Sequence, residues 1–405
     1  MDVTTVEAEV EDGTGQRTAW PLAIALGVAL GGVYRLSLWS GWGTAALPAY
    51  VWGPGAAVAI LLYLWLAGAR PAAAAPRGGA PARPGPAQVA WAALVLAAFV
   101  ANSLAFAPQR LPHLALLGAI HLPALAWLVL GLAVLGPADG PLERFAAVVK
   151  SIEVLVTAAI YAGAGVIFAA VTSGLFAALQ VELPAEAQRS GPALLAGLVP
   201  VLAVASVYDP ALAPSAQRFG AGVTRPFFIA ARLFLPPTLL VLLVVAAVIP
   251  ARFAVLSGHR ETLLVFNAML FAVMLLLVGA VPLRPDDLAP RAATWLRRGV
   301  AAVALLAAVV SAYALAATLA RTVAGGLTAN RLTVIGWNVV NIVTLLLVLL
   351  RPLRAGRGGW APAVHAAFGA GLVLYALWTG FVLVVLPHLA RAAHWPASPG
   401  LGAWK

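Results

Sequence analysis

Residues 263–281 read LLVFNAMLFAVMLLLVGAV without a single charge, and residues 235–249 just upstream read LPPTLLVLLVVAAVI. A helix needs about 20 mostly apolar residues to cross the hydrocarbon core of a bilayer. Backbone groups placed there must find their partners inside the protein, which leaves helices or closed barrels. These two runs satisfy the helical solution, and similar runs recur along the whole chain. The sequence therefore predicts an all-α, polytopic transmembrane helical bundle of about eleven spans.

On either side of these two runs, the pattern predicts helices over Trp20–Trp39, Ala49–Ala69, Val89–Ala107, Leu114–Leu135, Val148–Leu179 and Pro192–Val207. The remainder are Phe227–Ile249, Leu263–Val281, Gly299–Ala320, Leu332–Leu350 and Pro362–Leu386. The fifth is longer than a simple span requires and reads as a helix with a tilted or interfacial start. The sixth is short and interrupted by Pro200. Adjacent Pro236 and Pro237 remove backbone donors from the seventh and predict a kink or an unwound step near Leu235.

Composition agrees with this class. The 405 residues are 62% hydrophobic and 10% charged, against about 25% charged in a soluble domain. The net charge of +11 is spread among loops, with no basic cluster of the density nucleic acid requires. No nucleic-acid partner is expected; the expected partner is the lipid bilayer, and a homo-oligomer is compatible with the pattern. The chain has no cysteine, which excludes disulfides, Fe–S clusters and thiolate-bound zinc.

The basic residues set an orientation. With the N-terminus in the cytoplasm, inner segments hold Arg17, Arg70, Arg77, Arg83, Arg144, Lys150, Arg218, Arg225, Arg232, Arg284, Arg291, Arg297, Arg298, Arg351, Arg354 and Arg357. Outer segments keep only Arg35, Arg110, Arg189, Arg252, Arg260, Arg321, Arg331, Arg391 and Lys405. The expected location is the bacterial inner membrane, with the C-terminal tail outside.

The first 18 residues are acidic and polar and read as a disordered cytoplasmic tail, not a secretory signal; residues 19–405 form one transmembrane domain. Within it, 70–86 (RPAAAAPRGGAPARPGP) is a cytoplasmic linker by composition. Trp39, Trp42 and Trp52 beside an outer loop, and Trp295 and Trp360 beside inner loops, read as interfacial belt residues. Gly27 and Gly31 have the spacing that lets two helices approach closely.

Ionisable groups inside a membrane are costly and normally partnered. Lys150 and Glu153 lie three residues apart on one helix face, close enough for a local ion pair. Arg232 enters the seventh helix from the same side, so a Glu153–Arg232 meeting between helices is a further expectation. Asn267, Asn338 and Asn341, with Asn102, read chiefly as amides that tie one helix to another. Together, Lys150, Glu153, Arg232, Asn267, Asn338 and Asn341 form the candidate intramembrane polar site.

The six histidines, His113, His121, His259, His365, His388 and His394, show no metal-ligand spacing. Ser173 and Ser257 sit in no nucleophile elbow, and no phosphate-binding loop occurs. No catalytic, cofactor or metal residues are assigned.

The junction between the ninth and tenth spans reads RTVAGGLTANR from Arg321 to Arg331. Gly325 and Gly326 permit positive φ after a helix, and Thr328 can cap the next one. Arg331 is poorly placed for its own helix dipole, so a partner elsewhere is expected: a helix C-terminus, carbonyls, or one of Glu182, Glu186 and Glu261. Gly326, Leu327, Thr328, Asn330 and Arg331, with Arg321 upstream, resemble the Tyr-Gly-Leu-Thr-x-Asn-Arg signature of a family of uncharacterised bacterial multi-pass membrane proteins. Gly325 stands where that family usually has tyrosine. The resemblance implies architecture and no settled activity. The functional expectation is transport of a small or lipidic solute, and the alternative is a structural or assembly protein of the envelope.

Overall fold

The computed structural model describes residues 18–39, 47–68, 84–106, 112–136, 140–220, 224–258, 260–284 and 288–393. The N-terminal tail before Thr18 and nearly all of the 70–86 linker lie outside the described residues, as do Trp42 and the tail after residue 393.

Among the described residues the regular structure is entirely helical. The helices are α1 Trp20–Trp39, α2 Leu47–Ala67, α3 Pro86–Ala105, α4 Pro112–Leu135, α5 Pro141–Ala178 and α6 Ala185–Val207. After a short 3-10 turn come α7 Arg225–Leu233, α8 Leu235–Gly258, α9 Arg260–Ala280, α10 Pro290–Gly325 and α11 Ala329–Ala355. Finally, α12 Trp360–Gly380 runs through a π-helical turn, Phe381–Val385, into α13 Leu386–Ala392. Nine helices among the described residues are long and apolar enough to cross a membrane, with α7 and α8 forming a tenth, bent span. The shorter apolar stretch Val265–Ala280 belongs to α9. All eleven expected spans thus find a helix, and the chain is a multi-pass helical membrane protein.

Prolines explain the irregularities. α7 and α8 meet at 45°, and Pro236 and Pro237 occupy the first turn of α8, where the missing N–H groups cost nothing. The expected kink is a complete break at Phe234.

The expected short, interrupted sixth span is corrected: α6 runs unbroken through both Pro192 and Pro200. Pro200 supplies no N–H for the carbonyl of Ala196 four residues earlier. The indole of Trp52 on α2 donates to that carbonyl at 3.0 Å, replacing the lost helical bond. Trp52 therefore ties two helices together besides lying at the surface.

α1, α2 and α6 share one buried cluster, including Leu30, Ile60 and Val201. α1 and α6 touch backbone to backbone: a methyl group on Gly197 would collide with the Gly31 nitrogen and the Gly27 carbonyl. α2, α3 and α4 enclose a second cluster around Leu61, Leu96 and Leu122. The largest joins α8 to α12 with the first half of α5.

α5 is the hinge of the architecture. Its 38 residues would extend about 57 Å at 1.5 Å per residue, well beyond the roughly 30 Å of hydrocarbon. The first half is buried: Phe145 stacks on His365 of α12 with ring centroids 4.4 Å apart. The second half exposes Val166, Ile167, Phe168 and Val171, an apolar surface suited to lipid.

Candidate functional site

The polar side chains of α5 fall on one face. Glu143, Lys150, Glu153 and Thr157 are spaced by seven, three and four residues, close to whole helical turns. The first three bond to the described residues between α6 and α7, 208–220 and Thr224, a stretch in which Pro214–Ala216 forms a 3-10 turn and Arg218 and Gly220 lie outside any helix. Side chains from α5 supply the missing partners.

Lys150 and Glu153 form the expected ion pair at 2.7 Å, with side chains 4% and 2% exposed. Lys150 Nζ also donates to the Arg218 carbonyl at 2.6 Å and lies 5.1 Å from the centre of the Phe219 ring. Glu153 accepts the Gly220 N–H at 2.5 Å and the Thr224 hydroxyl at 3.3 Å. One turn further in, Thr157 is buried and its hydroxyl has no hydrogen-bond partner.

At the other end, Glu143 accepts the Ser215 N–H at 2.9 Å and the Ser215 hydroxyl. Gln217 fastens the segment to itself: its amide nitrogen donates to the Asp209 and Leu212 carbonyls, and its oxygen accepts the Asp209 N–H. Burial, reinforced by the negative charges of Glu143 and Asp209, pushes the Tyr208 phenol well above its ordinary range. It stays protonated and serves the segment as a neutral group.

Arg232 does not join this cluster. Its Nε donates to the Ala280 carbonyl of α9 at 3.3 Å, because α7 packs on α9 with Phe227 and Ala231 against Gly279. The expected Glu153–Arg232 meeting is corrected: Glu153 takes the ammonium of its own helix, the Gly220 N–H and the Thr224 hydroxyl instead. Sequence reading missed Glu143, Ser215 and Gln217. The periodicity of Glu143 with Lys150 and Glu153 was the available signal.

The amides behave as ties between helices. Asn102 Nδ2 donates to the Leu383 carbonyl at 2.9 Å, and Tyr375 Oη donates to Asn341 Oδ1 at 2.5 Å. The Ser311 hydroxyl lies 3.4 Å from Asn338 Oδ1. Asn267, half-buried, finds no partner among the described residues. A group not foreseen joins α4 to α11: Trp337 Nε1 donates to His121 Nε2 at 2.9 Å, and His121 Nδ1 lies 2.8 Å from the Leu117 carbonyl. Nε2 must accept, so the ring is neutral with its proton on Nδ1. A histidine within an apolar helix was the signal.

The Arg321–Arg331 junction is built as its sequence indicates. Gly326 has φ of +78°, and Thr328 caps α11 by accepting the Arg331 N–H at 3.3 Å. The Arg331 guanidinium folds back to donate to the Gly326 carbonyl, beside the end of α10, the kind of partner expected for it. Its charge meets the negative end of the preceding helix, which compensates its poor position in its own. Leu327 is exposed and Asn330 half-buried. Glu186 serves another arginine, Arg35, at 2.8 Å, and the Glu261 side chain lies outside the described residues.

Among the described residues no three of His, Cys, Asp and Glu converge as metal ligands. Two cavities there hold about 10 Å³ each, close to the space of one water. No protein-family model, curated protein or solved structure matches the chain.

Proposed function

We propose that this protein moves a small or lipidic solute across a bacterial inner membrane, with the α5 cluster and residues 208–220 as its inner closure. The observation that carries the reading is the buried Lys150–Glu153 pair. Two charges withdrawn from water gain little net stability over apolar side chains of the same volume, so a role beyond bracing accounts better for their presence. Here the pair grips the non-helical backbone of Arg218 and Gly220 rather than another helix. The broken span α7–α8 directly follows that segment, as a discontinuous helix beside a solute site does.

In this reading the N-terminus is cytoplasmic and the C-terminus outside, as the arginine distribution favours. The Gly326–Arg331 signature supports placing the chain beside the uncharacterised bacterial family it resembles. The second reading, a structural or assembly protein of the envelope, is favoured by the water-sized cavities.

Thiol labelling separates the two readings, since the chain has no cysteine of its own. Thr157→Cys places a thiol one turn behind Glu153. In inverted vesicles a water-soluble maleimide should reach it slowly, and much faster once Glu153→Gln loosens the closure. If the thiol at position 157 stays unlabelled in both backgrounds, the closure never opens and the envelope-scaffold reading takes its place.

A further inference from the structure

The π-helical turn at Phe381–Val385 has a chemical cause and a chemical consequence. Pro387 supplies no N–H to the Leu383 carbonyl four residues earlier, and its ring crowds that oxygen. The turn widens, and the Leu386 N–H reaches back to the Phe381 carbonyl. Two carbonyls thereby lose their helical donors. Leu383 is compensated by the Asn102 amide at 2.9 Å. For Val382 the ladder offers none: its α-helical donor, the Leu386 N–H, is engaged with Phe381, and its π-helical donor would be Pro387, which has no N–H.

Beside this turn lies a cavity of about 10 Å³ lined by Tyr50, Ser103, Gly118, Val382, Leu383 and Pro387 among others. Ser103 is only 8% exposed, and its buried hydroxyl oxygen has no hydrogen-bond partner among the described residues. The Tyr50 hydroxyl donates to the Ala115 carbonyl at 3.1 Å, which leaves its oxygen lone pairs available.

We propose that this cavity binds one sodium-sized monovalent cation through neutral oxygen atoms: the Ser103 hydroxyl, the Tyr50 hydroxyl and the carbonyls of Val382 and Leu383. Hard cations take such oxygen sets, and backbone carbonyls freed from a helical ladder can coordinate sodium in membrane proteins. Among the described residues that line it there is no basic side chain and no carboxylate to select a divalent ion. The space of about 10 Å³ is that of one small ion or one water. The site is distant in sequence from the α5 cluster and does not depend on the transport reading.

The test uses the full-length purified protein in detergent. Thermal unfolding is followed while sodium chloride replaces N-methyl-D-glucamine chloride at constant ionic strength. Sodium should raise the melting temperature saturably. Ser103→Ala should raise the half-saturating concentration about tenfold or more, the loss expected for one well-placed ligand. Pro387→Ala, which returns an N–H to claim the Leu383 carbonyl, should abolish the response. Binding of radioactive sodium gives the same comparison for any variant whose melting is poorly resolved. A melting temperature and sodium retention indifferent to the exchange in the wild type would overturn the proposal and leave a structural water. An unchanged sodium response in both variants would overturn it as well, by putting the ion elsewhere.

Discussion

Charge enters this bundle in two contrasting ways, at the first half of α5 and at the junction of α10 with α11. Lys150 and Glu153 are almost wholly buried, oppose one another at 2.7 Å, and direct their remaining bonds to a distant loop. Arg331 has no charged partner among the described residues; at the rim it turns onto the Gly326 carbonyl five residues back. The first arrangement is long-range and desolvated, the second local and hydrated. A buried pair is fragile to the loss of either partner, because the survivor is an uncompensated charge. A rim arginine that loses its carbonyl still has water.

Four measurements put that contrast at risk. The largest effect belongs to the singles Glu153→Leu and Lys150→Met, each expected to cost about 3–5 kcal/mol, read as unfolding free energy in detergent. A cost below about 1 kcal/mol for both, the value of a surface pair, would show that water reaches the pair and would erase the contrast.

Next comes Arg331→Ala. Its bond is charge-assisted, worth about 1.5–3 kcal/mol when well made, but partial hydration should hold the loss to about 1 kcal/mol. A loss as large as that at Glu153 would mean that the junction carries a buried function.

Thr328→Ala removes the cap of α11 and should cost about 1 kcal/mol, seen as faster amide exchange over the first turn of that helix. Glu186→Gln sits at the bottom of the scale. Its pair with Arg35 is open to water, with Glu186 71% exposed, so a change under about 0.5 kcal/mol is expected in a melt at physiological salt.

The contrast also marks what the sequence could reveal. The junction was legible because its partners lie within a few residues of one another: Thr328 caps three positions on, and Arg331 reaches five positions back. The break before Pro236 and the Gly27–Gly31 approach were legible for the same reason, although nothing in the sequence named Gly197 as the surface they meet. The ion pair of Lys150 with Glu153 was local and legible too.

Its setting was not. Glu143, Lys150 and Glu153 bind groups 67 to 72 residues away, and most of those groups are backbone atoms, which every residue possesses alike. Arg232 misled for that reason: a carboxylate is a conspicuous partner, whereas the Ala280 carbonyl it adopts carries no mark. Two proline positions could have been read further. Pro200 and Pro387 each orphan a carbonyl four residues earlier, and each orphan is met by a polar side chain of another helix, Trp52 and Asn102.

Whether the α5 pair is a movable closure or a brace is tested most directly by the double variant Lys150→Met with Glu153→Leu, carrying Thr157→Cys. Replacing both charges with apolar side chains removes the desolvation penalty, so stability should return to within about 1 kcal/mol of the wild type or exceed it. A closure made permanently apolar should stay shut. Maleimide labelling of the thiol at position 157 from the cytoplasmic face should then fall below the rate seen with the native pair in place. A double variant that is as stable as expected yet labels at that native rate, or one as unstable as the two singles combined, would contradict a movable closure.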